Sequence, residues 1–254
     1  MAVDLGAHLA SVRDQLRVVP TPRRVRAARG GTPVLDSTDV LVVWEPRRVV
    51  AQYAVPESDM LVPLVPTVLP PPPVDLPPVL LPSHPFGWHL SPGQALAVRV
   101  DGETFDAAFR PDDPDLGGRV VVDWAPFDWT EEDQSVTGHP HDPFHRIDTV
   151  RSDRHVVVRV GDTVLADSRR PVALLETSLP LRWYLPREDV ATEHLVPSDS
   201  RTVCAYKGWA TYHSLPPELG GVADVAWSYD EPLRDASEVP GFLCFDDSKV
   251  TVES

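Results

Sequence analysis

Leu5, Leu9, Val12 and Leu16 fall on one helical face, and Pro20 and Pro22 end the run. This predicts a short N-terminal helix packed against the domain that follows. Past residue 20 the helical period gives way to short β-rich runs. Arg24–Arg29 leads into Gly30-Gly31 and then Val34-Leu35, and His155–Val160 leads into Gly161-Asp162 and then Thr163–Leu165. Two such runs joined by a glycine-containing pair read as a hairpin. Each hairpin ends on Asp-Ser, at Asp36-Ser37 and Asp167-Ser168, where the aspartate can bond nearby backbone and open a turn. Arg119–Val122 and Gly241–Phe245 read as further strands. The pattern predicts an all-β, β-dominated chain behind one short helix.

The two hairpins open two copies of a longer pattern. Asp36 is followed by Glu45, Tyr53, Pro56 and Asp59, and Asp167 by Glu176, Tyr184, Pro186 and Asp189, with identical spacing from Asp to Tyr. Leu116-Gly117-Gly118 precedes Trp124 as Leu219-Gly220-Gly221 precedes Trp227. Ordered identities argue for duplication. The expected division is a helix in 1–20, a first repeat in 21–150 and a second in 151–254, each repeat large enough to bury a core. The first repeat carries an insertion at about residues 61–90, with Pro70–Pro73 and Pro77-Pro78. Proline at that density favours extended polyproline structure. The valines and leucines among the prolines predict a strap along a hydrophobic surface.

A composition of 42% hydrophobic and 24% charged residues fits an ordinary soluble domain. The net charge of −15 argues against nucleic acid as a partner, because phosphate binding needs a basic surface. Arg13, Arg17, Arg23, Arg24, Arg26 and Arg29 are a local exception, read as a salt-bridged surface. Cys204 and Cys244 are too few for a disulfide framework or a zinc ribbon and are expected to be free thiols. The N-terminus lacks a signal-peptide pattern, and no proline-free apolar run is long enough to span a bilayer. A cytoplasmic location and no membrane partner are expected.

Candidate chemistry lies in the second repeat. Lined up with Val98–Phe105, the run Cys204–Tyr212 has cysteine, tyrosine and lysine where the first copy has valine, valine and aspartate. If residues 204–212 form one strand, Cys204, Tyr206, Gly208, Ala210 and Tyr212 share a face, with a gap between the tyrosines as a pocket floor. Lys207 then points away unless Gly208 marks a bulge. Cys204 is a candidate nucleophile, with Lys207 as a group that lowers its pKa. Equally, Cys204 packs as a small hydrophobe while Lys207 pairs with Glu176. Glu176, Arg182 and Lys207 are candidates to fix a polar ligand, Arg182 by a bidentate clamp. Tyr184, Tyr206, Tyr212 and Trp227 are candidate aromatic walls. His139, His141 and His145 with Asp142 have a spacing that can meet a metal, but Pro140 and Pro143 stiffen the stretch. A structured linker is the reading there, with no metal.

Several segments resemble a bacterial family, domain of unknown function 427, in its tandem form. They are Trp44–Val50, His139–Pro143, Arg182–Val190, and Tyr206-Lys207-Gly208 with Cys204. The resemblance runs from about residue 20 onward. It implies a compact β fold of the tent kind, two sheets pinned at one edge, shared with ligand-binding and zinc-bearing relatives. The zinc cysteine pairs of those relatives have no counterpart here, so no zinc is implied. The family has also been labelled a nucleotidyltransferase. A polymerase-β-like transferase sets Gly-Gly or Gly-Ser on a helix turn before two metal-binding aspartates. The nearest residues here are Gly117-Gly118, Asp123 and Asp128.

The sequence therefore predicts two tandem β-tent-like domains, the first degenerate and the second bearing the site. The leading functional expectation is a cytoplasmic protein that binds a small polar or anionic metabolite without a cofactor, whether or not it catalyses a reaction. The rivals are an interaction scaffold using the strap with Arg47 and Arg48, and a nucleotidyltransferase.

Overall fold

Strands dominate the regular structure of the computed structural model, which describes residues 2–254. The chain divides into two units between Asp142 and Pro143. In the first, a seven-stranded antiparallel sheet runs in the order Arg17–Thr21, Val40–Trp44, Gln52–Val55, Val120–Val122, Glu103–Pro111, Gly93–Val100, Leu64–Pro66. A smaller sheet pairs the hairpin Val25–Arg29/Thr32–Ser37 with Asp128–Glu131 and Gln134–Val136. In the second, the large sheet runs Ile147–Arg151, Val172–Glu176, Arg182–Leu185, Leu243–Phe245, Ala226–Ser228, Gly208–Ser214, Val196–Cys204. Its small sheet pairs the hairpin Val156–Val160/Thr163–Ser168 with Thr251–Glu253. Taken in chain order, the two large sheets have the same strand order.

Alternation along each strand sends one set of side chains to the small sheet and the other to the opposite face. Val25, Val34 and Leu35 meet Val42, Tyr53, Val55, Val120 and Val122 between the sheets of the first unit. Val156, Val158 and Leu165 meet Leu185, Leu243 and Phe245 in the second. The opposite face carries Val43, Ala54, Phe109 and Val121 in the first unit. In the second it carries Leu174, Tyr184, Cys244 and Trp227. That face positions the site.

The hairpins form where the pattern places them, but the turn chemistry differs from expectation. Ser37 Oγ donates to Asp59 (2.6 Å) and accepts from Asp39 N (3.1 Å), and Ser168 Oγ does the same with Asp189 (2.7 Å) and Arg170 N (3.2 Å). The serine, not the preceding aspartate, fastens each turn. Asp36 and Asp167 stand on the other side of the strand and reach across the hairpin, to Arg24 and to His155 respectively.

The helix is Leu5–Ser11, capped by Asp4. It buries no residue, with Leu5 73% and Leu9 60% exposed, so the expected packing is absent. Seven residues are too few to hold a helix of four apolar positions. Arg17–Thr21 is an edge strand instead, where Pro20 is tolerated because an edge has a free donor side. Of the basic cluster, Arg23, Arg24, Arg26 and Arg29 pair with Glu131, Asp36, Asp133 and Glu103. Among the described residues no helix is long and apolar enough to cross a membrane.

Candidate functional site

Walking across the large sheet one ladder partner at a time gives Leu41, Ala54, Val121, Phe109 and Ala95 in the first unit. The same walk in the second gives Val172, Tyr184, Cys244, Trp227 and Tyr212. Tyr184 therefore corresponds to Ala54, not to Tyr53. The equal Asp-to-Tyr spacing hides a one-residue slip after Glu45 and Glu176. That slip puts Tyr53 between the sheets and Tyr184 on the opposite face. The Leu-Gly-Gly match is likewise out of place. Leu116–Gly118 precedes the strand Val120–Val122, whereas Leu219–Gly221 precedes Ala226–Ser228, one strand earlier in the order.

A cavity of about 610 Å³ opens on this face of the second unit. Tyr184, Tyr212, Trp227 and Tyr229 supply its aromatic wall, and Glu176, Lys207, Arg182, Arg201, Ser200, Thr202, Asp224, Asp246 and Lys249 its polar groups. Six of the residues picked out from sequence, Glu176, Arg182, Tyr184, Lys207, Tyr212 and Trp227, thus surround one space. Cys204 and Tyr206 do not line it.

Glu176 closes the strand Val172–Glu176 and is followed by a tight turn with Ser178 at φ 64°. Its carboxylate accepts from Lys207 Nζ at Oε2 and lies 3.0 Å from His145 Nε2 at Oε1. Both members of the Lys207–Glu176 pair are over nine-tenths buried at the side chain. Burial opposes ionisation of Glu176, but the His145 bond and the Lys207 charge outweigh it and hold its pKa below the usual range. His145 also stacks on Tyr206, ring centroids 4.3 Å apart.

Residues 204–212 are not one strand. Val196–Cys204 ends, Ala205–Lys207 turns, and Gly208–Ser214 returns with Cys204 opposite Gly208. Gly208 makes the turn at φ +93°, a conformation side chains disfavour. The turn, rather than a bulge, aims Lys207 at Glu176. Cys204 keeps its expected face by pairing across the hairpin and packs with Tyr184, Ala210 and Tyr229. No hydrogen bond or ion pair joins it to Lys207 among the described residues, so the proposed activation of its thiol has no geometric basis. Cys244 is buried, which raises its thiol pKa far above the ordinary value.

Trp227 Nε1 donates to Tyr184 Oη (3.1 Å), fixing the wall. Burial raises the Tyr184 and Tyr229 phenol pKa values, so both stay protonated. Arg182 bonds Asp247 (2.7 Å) and lies 5.7 Å from the Trp227 ring centroid. Arg201 was missed from sequence. It donates only to the carbonyls of Ser198 (3.1 Å) and Ser200 (2.7 Å), and no carboxylate among the described residues pairs with it. Thr202, also missed, bonds Tyr212 Oη (2.7 Å). The signal was the turn itself: once Gly208 ends a hairpin, Thr202 and Cys204 share the face of Ala210 and Tyr212.

The first unit is not the stripped copy that the sequence implied. The true counterpart of the Ala205–Lys207 turn is the proline-rich connection between Leu64–Pro66 and Gly93–Val100, not residues 98–105. Phe86 of that connection packs on Val43, Ala54 and Phe109. His89 lies flat on Phe109, centroids 3.7 Å apart and planes 5° apart, with Nδ1 3.0 and 3.1 Å from the Glu45 oxygens. Arg48 is 5% exposed and donates to the carbonyls of Pro85 (3.0 Å) and Phe86 (2.7 Å). It is spent on the strap and offers nothing to a partner, which removes it from the scaffold reading.

His139 Nδ1 lies 2.8 Å from the Pro140 carbonyl, and His141 lies 3.6 Å from Glu131. Among the described residues no group of three or more His, Cys, Asp or Glu side chains is placed to hold a metal ion. Asp123, one of the two aspartates nearest a transferase pattern, is half-buried, which raises its pKa, and accepts from Ala125 N (3.3 Å). Asp128 is exposed at the start of a strand, and Gly117 closes a 3₁₀ turn rather than opening a helix.

No curated protein matches the chain. The family model described as Domain of unknown function (DUF427), with the short label NTP_transf_9, matches residues 148–254. All the residues lining the cavity fall inside that span.

Proposed function

We propose that the second unit binds a small polar or anionic metabolite in the cavity bounded by Tyr184, Tyr212 and Trp227. The observation that carries this reading is the state of the cations around that space. Arg201 has no carboxylate partner among the described residues, and the Lys207 ammonium gives one of its three protons to Glu176 and keeps the others for an acceptor. Arg182 and Lys249 add positive charge, tempered by Asp247 and Asp246. An aromatic wall with a few convergent charges is a common form of small-ligand site. Glu176 acts as the brace that holds Lys207 in place. We read the site as binding rather than catalytic, because Cys204 lies outside it. We take the protein to act in the cytoplasm with its thiols reduced.

Ligand binding to the native state raises the thermal midpoint. A thermal-shift series with inorganic phosphate and small carboxylates is expected to stabilise the intact chain, and Arg201→Ala to abolish the shift without lowering the unliganded midpoint. Unchanged shifts in Arg201→Ala would sink the assignment. A nucleoside triphosphate with Mg²⁺ in the same series tests the transferase that the family's label names.

A further inference from the structure

We infer that the cavity of the second unit takes a planar heteroaromatic ring bearing an anionic group, laid against Trp227; this deepens the pocket reading above and rests on it. The first unit supplies the reasoning, because it has filled the corresponding seat with its own chain. Its ladder row is small at Ala54, Val121 and Ala95, and the strap covers the row with two aromatic rings. The His89 imidazole stacks on Phe109 and reaches Glu45, while Phe86 meets His89 edge-on at 4.8 Å.

The second unit omits the plug and rebuilds the seat: Tyr184 and Tyr212 stand where the first unit has Ala54 and Ala95, and the cavity is the room they leave open. Phe109 becomes Trp227, a wider plane at the same ladder position, with the Arg182 guanidinium 5.7 Å from its centroid, so a ring laid on Trp227 shares it with that cation. Glu45 becomes Glu176, each one hydrogen bond before an equivalent turn: Arg48 N donates to Glu45 O (3.1 Å) and Leu179 N to Glu176 O (3.0 Å). Arg48, which clamps the strap, is thereby replaced by Leu179, which lines the open cavity. The connection that would carry a plug is only Ala205–Lys207, and it is used up in delivering Lys207 to Glu176. What the first unit seats is flat, aromatic and nitrogen-bearing, and offset stacking on a larger aromatic surface favours the same shape. A heteroatom acceptor suits the remaining Lys207 protons, and an anion suits Arg201.

Three probes separate the terms: nicotinate, benzoate and cyclohexanecarboxylate, each titrated into the intact chain by calorimetry. Nicotinate is expected to bind about tenfold more tightly than cyclohexanecarboxylate, as one aromatic stack would give, with benzoate between them. Trp227→Leu should erase that gap, and Arg201→Ala should weaken all three alike. Should Trp227→Leu fail to fold, saturation-transfer NMR on the unaltered protein decides, with strong transfer to the nicotinate ring protons supporting the stack and its absence opposing it. Equal affinity for nicotinate and cyclohexanecarboxylate overturns the ring while leaving an anion pocket. Binding of none of the three overturns the inference, and the phosphate series then decides separately whether the anion reading survives.

Discussion

The Lys207–Glu176 pair decides how the site behaves. Two opposite charges are buried together, and each is tolerable only because the other is there. Removing one partner leaves the other uncompensated. Lys207→Met is therefore expected to destabilise the second unit by about 3–5 kcal/mol. Replacing both residues with methionine should recover much of that loss, and denaturant titrations of the two single variants and the double variant would measure the coupling. If Lys207→Met were neutral, the pair would not be the brace described above. The pH response follows from the same contact. Burial works against the Glu176 charge, while His145 and Lys207 favour it and win, so the folded pKa lies below the ordinary 4.5. A carboxyl depressed in the folded state contributes stability in full above its unfolded pKa and loses it as pH falls through the folded value. The stability difference between the unaltered chain and Glu176→Gln should thus shrink as pH falls below about 5. Other depressed carboxylates, among them Asp189 and Asp246, cancel in that difference.

The turn Ala205–Lys207 carries the site more than any strand does, and it hangs on Gly208. At φ +93° any Cβ is strained, and one built there meets the Glu231 carbonyl and Leu233 at 3.4 Å. Gly208→Ala is expected to cost about 1–3 kcal/mol and to weaken any cavity ligand through displacement of Lys207. A thermal midpoint and a ligand titration on that variant check both. This turn also marks the limit of what the sequence discloses. Hairpins at Gly30-Gly31 and Gly161-Asp162 are legible because β-rich runs flank a glycine-containing pair. Cys204–Tyr212 looks just as continuous as a strand, and only Gly208 hints otherwise. Equal spacing misled in a physical way: Tyr53 and Tyr184 match in type, yet a single extra residue between Glu and Tyr reverses the face of every side chain beyond it. Pro56 with Pro186 and Asp59 with Asp189, one residue out of step with the tyrosines, carried the true register. The strap was legible as extended, but Val68 and Val74 do not lie along a hydrophobic surface: both are exposed, and the buried anchors are Leu80 and Phe86. That it would insert Phe86 and His89 into a seat was not legible, because the seat is assembled from strands distant in sequence.

Each unit has a buried core of its own. The second has a core between its sheets, from Val156 to Val250, and a further cluster on the site face around Tyr184 and Tyr229. Its edge strand Ile147–Arg151 pairs within the unit, in register with Val172–Glu176. His145, which holds Glu176, lies before that strand, so the smallest self-sufficient piece must begin ahead of it. Residues 143–254 alone are therefore expected to unfold in one cooperative transition and to keep the ligand response of the intact chain. A piece beginning at residue 151 should do neither. It lacks the edge strand that covers Val172–Glu176, and it leaves Glu176 with only one of its two donors. Circular dichroism melts of the two pieces, each with and without nicotinate, would distinguish them. A cooperative, ligand-responsive melt from 151–254 would mean that His145 and the first strand are dispensable to the site, and that Lys207 alone keeps Glu176 charged.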